Sequence, residues 1–147
     1  MSDTKPKQMT AEQKLKHLIL IRHAELGDEP APEDVTADNV DELYDATEGD
    51  NYTLQDAREE VRGGEHKTGL AVPYQGRGAS NYESKSVARQ YLDGSWIGWT
   101  YWYGGGKHSE PSAIDWIDRA YDVTVTEEPK TIIHRTFMKV EAPNEAV

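Results

Sequence analysis

The chain has 147 residues, no cysteine, and 27 Asp/Glu against 16 Lys/Arg, for a formal net charge of −11. That length fits one domain, and the missing cysteine excludes disulfides, thiolate metal sites and a cysteine nucleophile. No apolar run approaches a membrane span and the first residues lack a signal peptide's apolar stretch, so a cytoplasmic protein without a membrane partner is expected.

Residues 1–9 are polar, with Lys5, Pro6 and Lys7, and read as a disordered tail. One α+β domain is expected over 10–140, with an acidic helical part over 25–62 and a sheet part over 70–140. Residues 141–147 read as a frayed tail. Thr10 with Gln13 three residues on has the form of a capping box. The run Leu18 to Ile21 fits a buried strand or a helix, and periodicity cannot arbitrate so short a run. With no turn residue between Lys14 and Leu18, a single helix from Ala11 to Leu26 is the reading.

Gly27 to Pro32 is a loop. Val35, Val40, Leu43 and Tyr44 then have the spacing of an amphipathic helix starting near Thr36 or Asp38 and ended by Gly49. Thr53 is placed at the N-cap of a further helix through Val61, with Gly63-Gly64 as its stop. From Leu70 the period changes. Glu83 to Leu92 and Ser95 to Tyr103 flank Asp93-Gly94, the signal of a two-residue type I′ hairpin. That turn would set Tyr91 opposite Trp96 and Ala88 opposite Trp99. Val87, Tyr91, Trp96 and Trp102 then share one face, and Ile97, Trp99, Tyr101 and Tyr103 the other. A helix is expected over Pro111 to Ala120. A second hairpin is expected from Asp122–Thr126 and Lys130–Val140 across Glu127-Glu128-Pro129. The fold class is therefore α+β: acidic N-terminal helices on an antiparallel sheet of about four strands, built from two hairpins with one helix between them.

The charge is concentrated. Between Glu25 and Glu60 stand 14 carboxylates and one cation, Arg58, a net of −13; the remainder carries +2. Such a field repels phosphates and speeds encounter with basic surfaces. Direct nucleic-acid binding is therefore disfavoured. Asp38, Asp41, Glu42 and Asp45 are the candidate contacts of an acidic face. The aromatic run contributes a second candidate surface, Trp96, Trp99, Tyr101, Trp102 and Tyr103, because Trp and Tyr serve both as interface anchors and as base-stacking platforms. Gly105, Gly106, Lys107 and His108 form a candidate anion loop. It is not a Walker A loop, which requires glycine where Tyr101 stands. The five histidines have no short metal spacing, and Asp45 to Asp56 lacks the central glycine of a calcium loop, so no metal or cofactor is expected.

Leu18-Ile19-Leu20-Ile21-Arg22-His23-Ala24-Glu25 resembles the opening motif of histidine phosphatases, in which an apolar strand delivers an Arg and a nucleophilic His. That family also has a second Arg after Ser-Pro, which this chain lacks, and a parallel sheet at odds with the hairpins. The resemblance is therefore confined to the eight residues. The stretch from Gly78 to Trp116 resembles short uncharacterised proteins of bacteria and their phages, which implies an accessory or host-interaction protein and supplies no activity. The expected function is a small acidic module that binds a protein with a basic surface, in one form a phage-type inhibitor of a host nucleic-acid enzyme. The alternative is a small enzyme or binding module for a phosphorylated or nucleotide ligand, using Arg22 and His23 or the Gly104 to His108 loop.

Overall fold

The computed structural model describes residues 7–48, 52–72, 82–106 and 110–140. Helices α1 (Ala11–Leu26), α2 (Val40–Glu48) and α3 (Tyr52–Arg62) precede a four-stranded antiparallel sheet. Its strands are β1 (His66–Lys67), β2 (Glu83–Gln90), β3 (Trp96–Tyr103) and β4 (Tyr121–Val123), in spatial order β1-β2-β3-β4. The α+β class with N-terminal helices is as the sequence indicated.

Helix α1 is the centre of the fold. Its capping box is complete: the Thr10 hydroxyl accepts from the Gln13 amide at 3.2 Å, and the Gln13 side chain accepts from the Thr10 amide at 3.0 Å. Leu15, Leu18, Ile19, Leu20 and His17 are all buried. A helix flanked by α2, α3 and β3 needs apolar residues on several sides. The run Leu18 to Ile21 therefore shows no single-faced helical period. Gln13 also donates to the Ala37 carbonyl at 3.0 Å and to Asp41 at 3.1 Å, which fixes the entry to α2. A turn over 37–39 leads into that helix. Helix α3 begins at Tyr52, so Thr53 lies inside it and is not its N-cap.

His17 is buried, and its Nδ1 lies 2.5 Å from the Tyr91 hydroxyl. Burial lowers the imidazole below its ordinary value of 6.5. Between the lowered folded value and 6.5 the unfolded chain binds a proton that the folded chain does not. The resulting stability is fully present above 6.5 and is lost as pH falls through that window. Denaturant midpoints measured from neutral pH down to about 5 should fall, with a shallower slope in His17→Gln. Equal slopes would remove His17 from the account.

The β2–β3 hairpin is present with a shifted register. Gln90 faces Trp96, Val87 faces Trp99 and Lys85 faces Tyr101, one residue away from the two-residue turn expected from Asp93-Gly94. The closing pair is Tyr91 and Ser95, joined by a 2.7 Å amide–carbonyl bond, and the Gly94 amide donates to the Tyr91 carbonyl at 3.0 Å. The loop is thus three residues, ending on Gly94 at φ +92°. Asp93 has no positive φ; its carboxylate instead accepts from the Ser95 amide at 2.9 Å. That side-chain bond favours the longer loop. The shift moves Val87 and Tyr91 onto the face of Ile97, Trp99, Tyr101 and Tyr103, away from Trp96 and Trp102. Gly94→Val should cost roughly 1 kcal/mol or more, read as a lower denaturant midpoint. No change in midpoint would contradict the positive-φ assignment.

Two further expectations are corrected. The Pro111 to Ala120 segment forms only a 3₁₀ turn at Pro111–Ala113, after which Ile114 is extended at φ −73°, ψ 133°. Trp116 is buried against Trp99, ring centroids 5.9 Å apart, so the segment follows an aromatic anchor instead of a helical stripe. The second hairpin is also absent. β4 ends at Val123, and 124–140 runs on without regular structure and largely exposed. The fourth strand is instead His66–Lys67, just outside the range assigned to the sheet. At Gly98 an added Cβ would lie 2.7 Å from Val123 and 2.8 Å from Tyr121, so the missing side chain leaves room for these two side chains of the paired β4.

Candidate functional site

The helices cover one face of the sheet, and the core joins Val87, Ile97 and Trp99 to Leu15, Ile19, Leu54 and Val61. Trp99 is wholly buried, and its indole N–H donates to the Arg62 carbonyl at 2.7 Å. Trp102 is also buried, and its carbonyl accepts from the Arg62 guanidinium at 2.7 Å. Neither indole is presented to solvent; both are packing elements. Tyr101 and Tyr103 are half-buried and stacked, with Lys85 over both rings and Arg62 over Tyr101. Trp96 lies on the opposite face, beside His66 at 5.5 Å. The five aromatics therefore do not make one surface.

The acidic residues divide as well. Asp41 is held by Gln13 and by Lys16 at 3.0 Å. Those hydrogen bonds, Lys16 first, keep its carboxyl below the usual range. Asp41 is thus committed to joining α1 and α2. Asp38, Glu42 and Asp45 are exposed and form no ion pair among the described residues.

Asp45 borders a cleft of about 420 Å³ between α2, α3 and the 112–118 segment. Its aromatic residues are Tyr44, 4% exposed, and Trp116, 5% exposed. The lining carries five carboxylates (Asp45, Glu48, Glu59, Asp115 and Asp118) against two cations, Lys16 and Arg58, a net of −3. Both cations are already engaged. Arg58 donates to the Tyr44 hydroxyl at 2.5 Å and pairs with Glu48 at 2.7 Å. Lys16 pairs with Asp41 and Glu12. Each also lies over the Tyr44 ring, at 5.2 and 5.4 Å. Burial pushes the Tyr44 hydroxyl above its ordinary value, so it stays protonated. Glu59 is taken by Arg62. Asp45, Asp115 and Asp118 are left without an ion pair among the described residues. A guest Arg or Lys would find unpaired carboxylates for its charged head. No histidine lines the cleft, and among the described residues no three His, Asp or Glu converge as a metal-binding set.

The other described candidate residues sit on different elements. Arg22 is bound by Glu60 and, at 2.7 Å, by Glu25, and these bonds raise its already high pKa. His23 is in the last turn of α1, and His134 is in the exposed 124–140 segment. Neither the acidic cleft nor the groove beside Trp96 is lined by any of the three. Gly105 and Gly106 follow β3 at positive φ, while Lys107 and His108 lie outside the described residues. Trp116, Asp115 and Asp118 were not singled out by sequence as site residues. The available signal was two carboxylates flanking an isolated tryptophan in a weakly helical segment.

Comparison with protein-family models, with curated proteins and with solved structures finds no match to this chain. No described helix is long and apolar enough to cross a membrane.

Proposed function

We propose that this protein is a binding module for a basic protein surface, engaged through the cleft between α2, α3 and the 112–118 segment. The observation that carries the reading is the surplus of carboxylate around an aromatic floor: Asp45, Asp115 and Asp118 have no ion-pair partner among the described residues, beside buried Tyr44 and Trp116. Water solvates these carboxylates in the free protein, so an incoming guanidinium gains charge contact without breaking an internal pair. The wider −13 segment between Glu25 and Glu60 steers such a partner toward the cleft. The most specific form of the proposal is an inhibitor that occupies the phosphate-binding groove of a nucleic-acid enzyme, since an acidic surface matches the cations lining such a groove.

The test is capture from a bacterial lysate with the wild-type chain and with Asp45→Lys/Asp115→Lys/Asp118→Lys. A basic protein retained at low salt by the wild type should be lost at high salt and lost with the variant. Capture that survives both changes would contradict the assignment. Asp41 is unsuitable for such a reversal, because its contacts with Gln13 and Lys16 belong to the fold.

A further inference from the structure

Three segments meet at His17. The imidazole belongs to α1, its partner Tyr91 closes the β2–β3 loop, and the Tyr91 hydroxyl donates to the Met9 sulfur at 3.2 Å, in the residues before α1. His17 is 7% exposed and meets the Tyr91 ring edge-on, centroids 5.6 Å apart. A hydroxyl has one proton to give. With that proton on Met9, Nδ1 of His17 donates to the Tyr91 oxygen, and Nε2 is the nitrogen open to protonation. Nε2 has no acceptor among the described residues.

The charged groups around the imidazole are committed elsewhere. On the hairpin side Asp93 holds Ser95, and Asp122 of β4 lies 3.9 Å from the Lys14 ammonium. Arg89 of β2 is paired with Glu65. On the other flanks of α1, Asp41 of α2 pairs with Lys16 and Glu60 of α3 with Arg22. The cation over the Tyr91 ring is Lys14, at 5.7 Å, so a charged His17 would share that ring with a like charge. An added proton on the imidazole is thus buried with no acceptor and no carboxylate to meet it.

We propose that His17, Tyr91 and Met9 form a proton-operated latch: protonation of His17 releases Tyr91 and the Met9 segment from α1 while the core stays folded. A neighbouring contact keeps the loop tethered when the latch is open. Lys14 donates to the Ser95 hydroxyl at 2.9 Å, and Ser95 is held in turn by Asp93. Those bonds keep the Asp93 carboxyl below its usual range, so this contact does not change charge where a histidine titrates. α1 therefore grips the loop twice, and only one grip responds to pH near neutrality. The proposal is independent of the acidic cleft, whose lining has no histidine.

The test is an NMR titration of the full chain with labelled methionine methyls, from about pH 7.5 to about pH 5. The Met9 methyl should lose its cross-peak to the Tyr91 ring and move to the position of Met138, which is 87% exposed. Its midpoint should match that of the His17 imidazole and lie below 6.5. The buried Trp99 indole signal should persist throughout. In His17→Gln the Met9 methyl should not respond to pH. Tyr91→Phe, which keeps the ring and deletes both hydrogen bonds, should free Met9 already at neutral pH. A Met9 methyl that stays in place while His17 titrates would overturn the latch, as would a pH response that survives in His17→Gln. So would a Met9 methyl still docked in Tyr91→Phe, a His17 midpoint at or above 6.5, or loss of the Trp99 signal together with Met9.

Discussion

Replacing Trp99 with Ala should lower the unfolding free energy by about 3–5 kcal/mol, the range for deleting a buried large aromatic. Trp99 is wholly buried, packs on Trp116 and donates its indole N–H to the Arg62 carbonyl. Its removal thus opens a cavity where helix, sheet and the 112–118 segment meet. Against a typical total of ~5–15 kcal/mol, that loss leaves a marginal fold. Trp99→Phe separates the terms: it keeps most of the packing and strands the Arg62 carbonyl, costing about 1–3 kcal/mol. Urea melts of the two variants check the series. A loss under 1 kcal/mol in Trp99→Ala would mean that the indole is not the keystone described here.

Arg62→Leu should cost about 2–3 kcal/mol, because a nearly buried charged donor is lost while the aliphatic volume is kept. The guanidinium donates to the Trp102 carbonyl at 2.7 Å, pairs with Glu59 at 3.3 Å and lies 4.7 Å from the centre of the Tyr101 ring. With the Trp99 bond to its own carbonyl, Arg62 clamps the end of α3 to β3 from both backbone and side chain. Arg62→Lys should recover only part of the loss, since a single ammonium cannot reproduce the planar fork and the ring contact. Full recovery with Lys, measured by the same melts, would reduce the clamp to a simple charge.

Helix α1 was legible from its ends, where Thr10 and Gln13 make both halves of the cap and Gly27 follows Leu26. Its interior was ambiguous, because a helix buried on several sides loses the period that marks an amphipathic one. The hairpin was legible and its register was not. Asp93 bonds Ser95 instead of entering the left-handed region, and that single side-chain choice turns every β2 residue to the other face. The strand-like pattern of Thr131 to Val140 belongs to a segment with no strand partner among the described residues, since β4 stops after three residues. Periodicity reports which residues suit a strand and is silent on whether a neighbouring strand is there to pair. The acidic face was visible as a count of carboxylates. Which of them remain unpaired depends on Lys16, Arg58 and Arg62 reaching across from other parts of the fold, and only the structure separates Asp41 from Asp45.

The cleft as a binding site for basic side chains is tested by a calorimetric titration of the full-length chain with an Arg-rich peptide at stepped salt concentrations, following the Trp116 indole signal by NMR in parallel. Affinity should fall steadily with salt, the Trp116 resonance should shift on saturation, and both effects should be lost in Asp45→Lys/Asp115→Lys/Asp118→Lys. Binding that is indifferent to salt, or that leaves Trp116 unmoved, would place the partner surface elsewhere and contradict the cleft as the site.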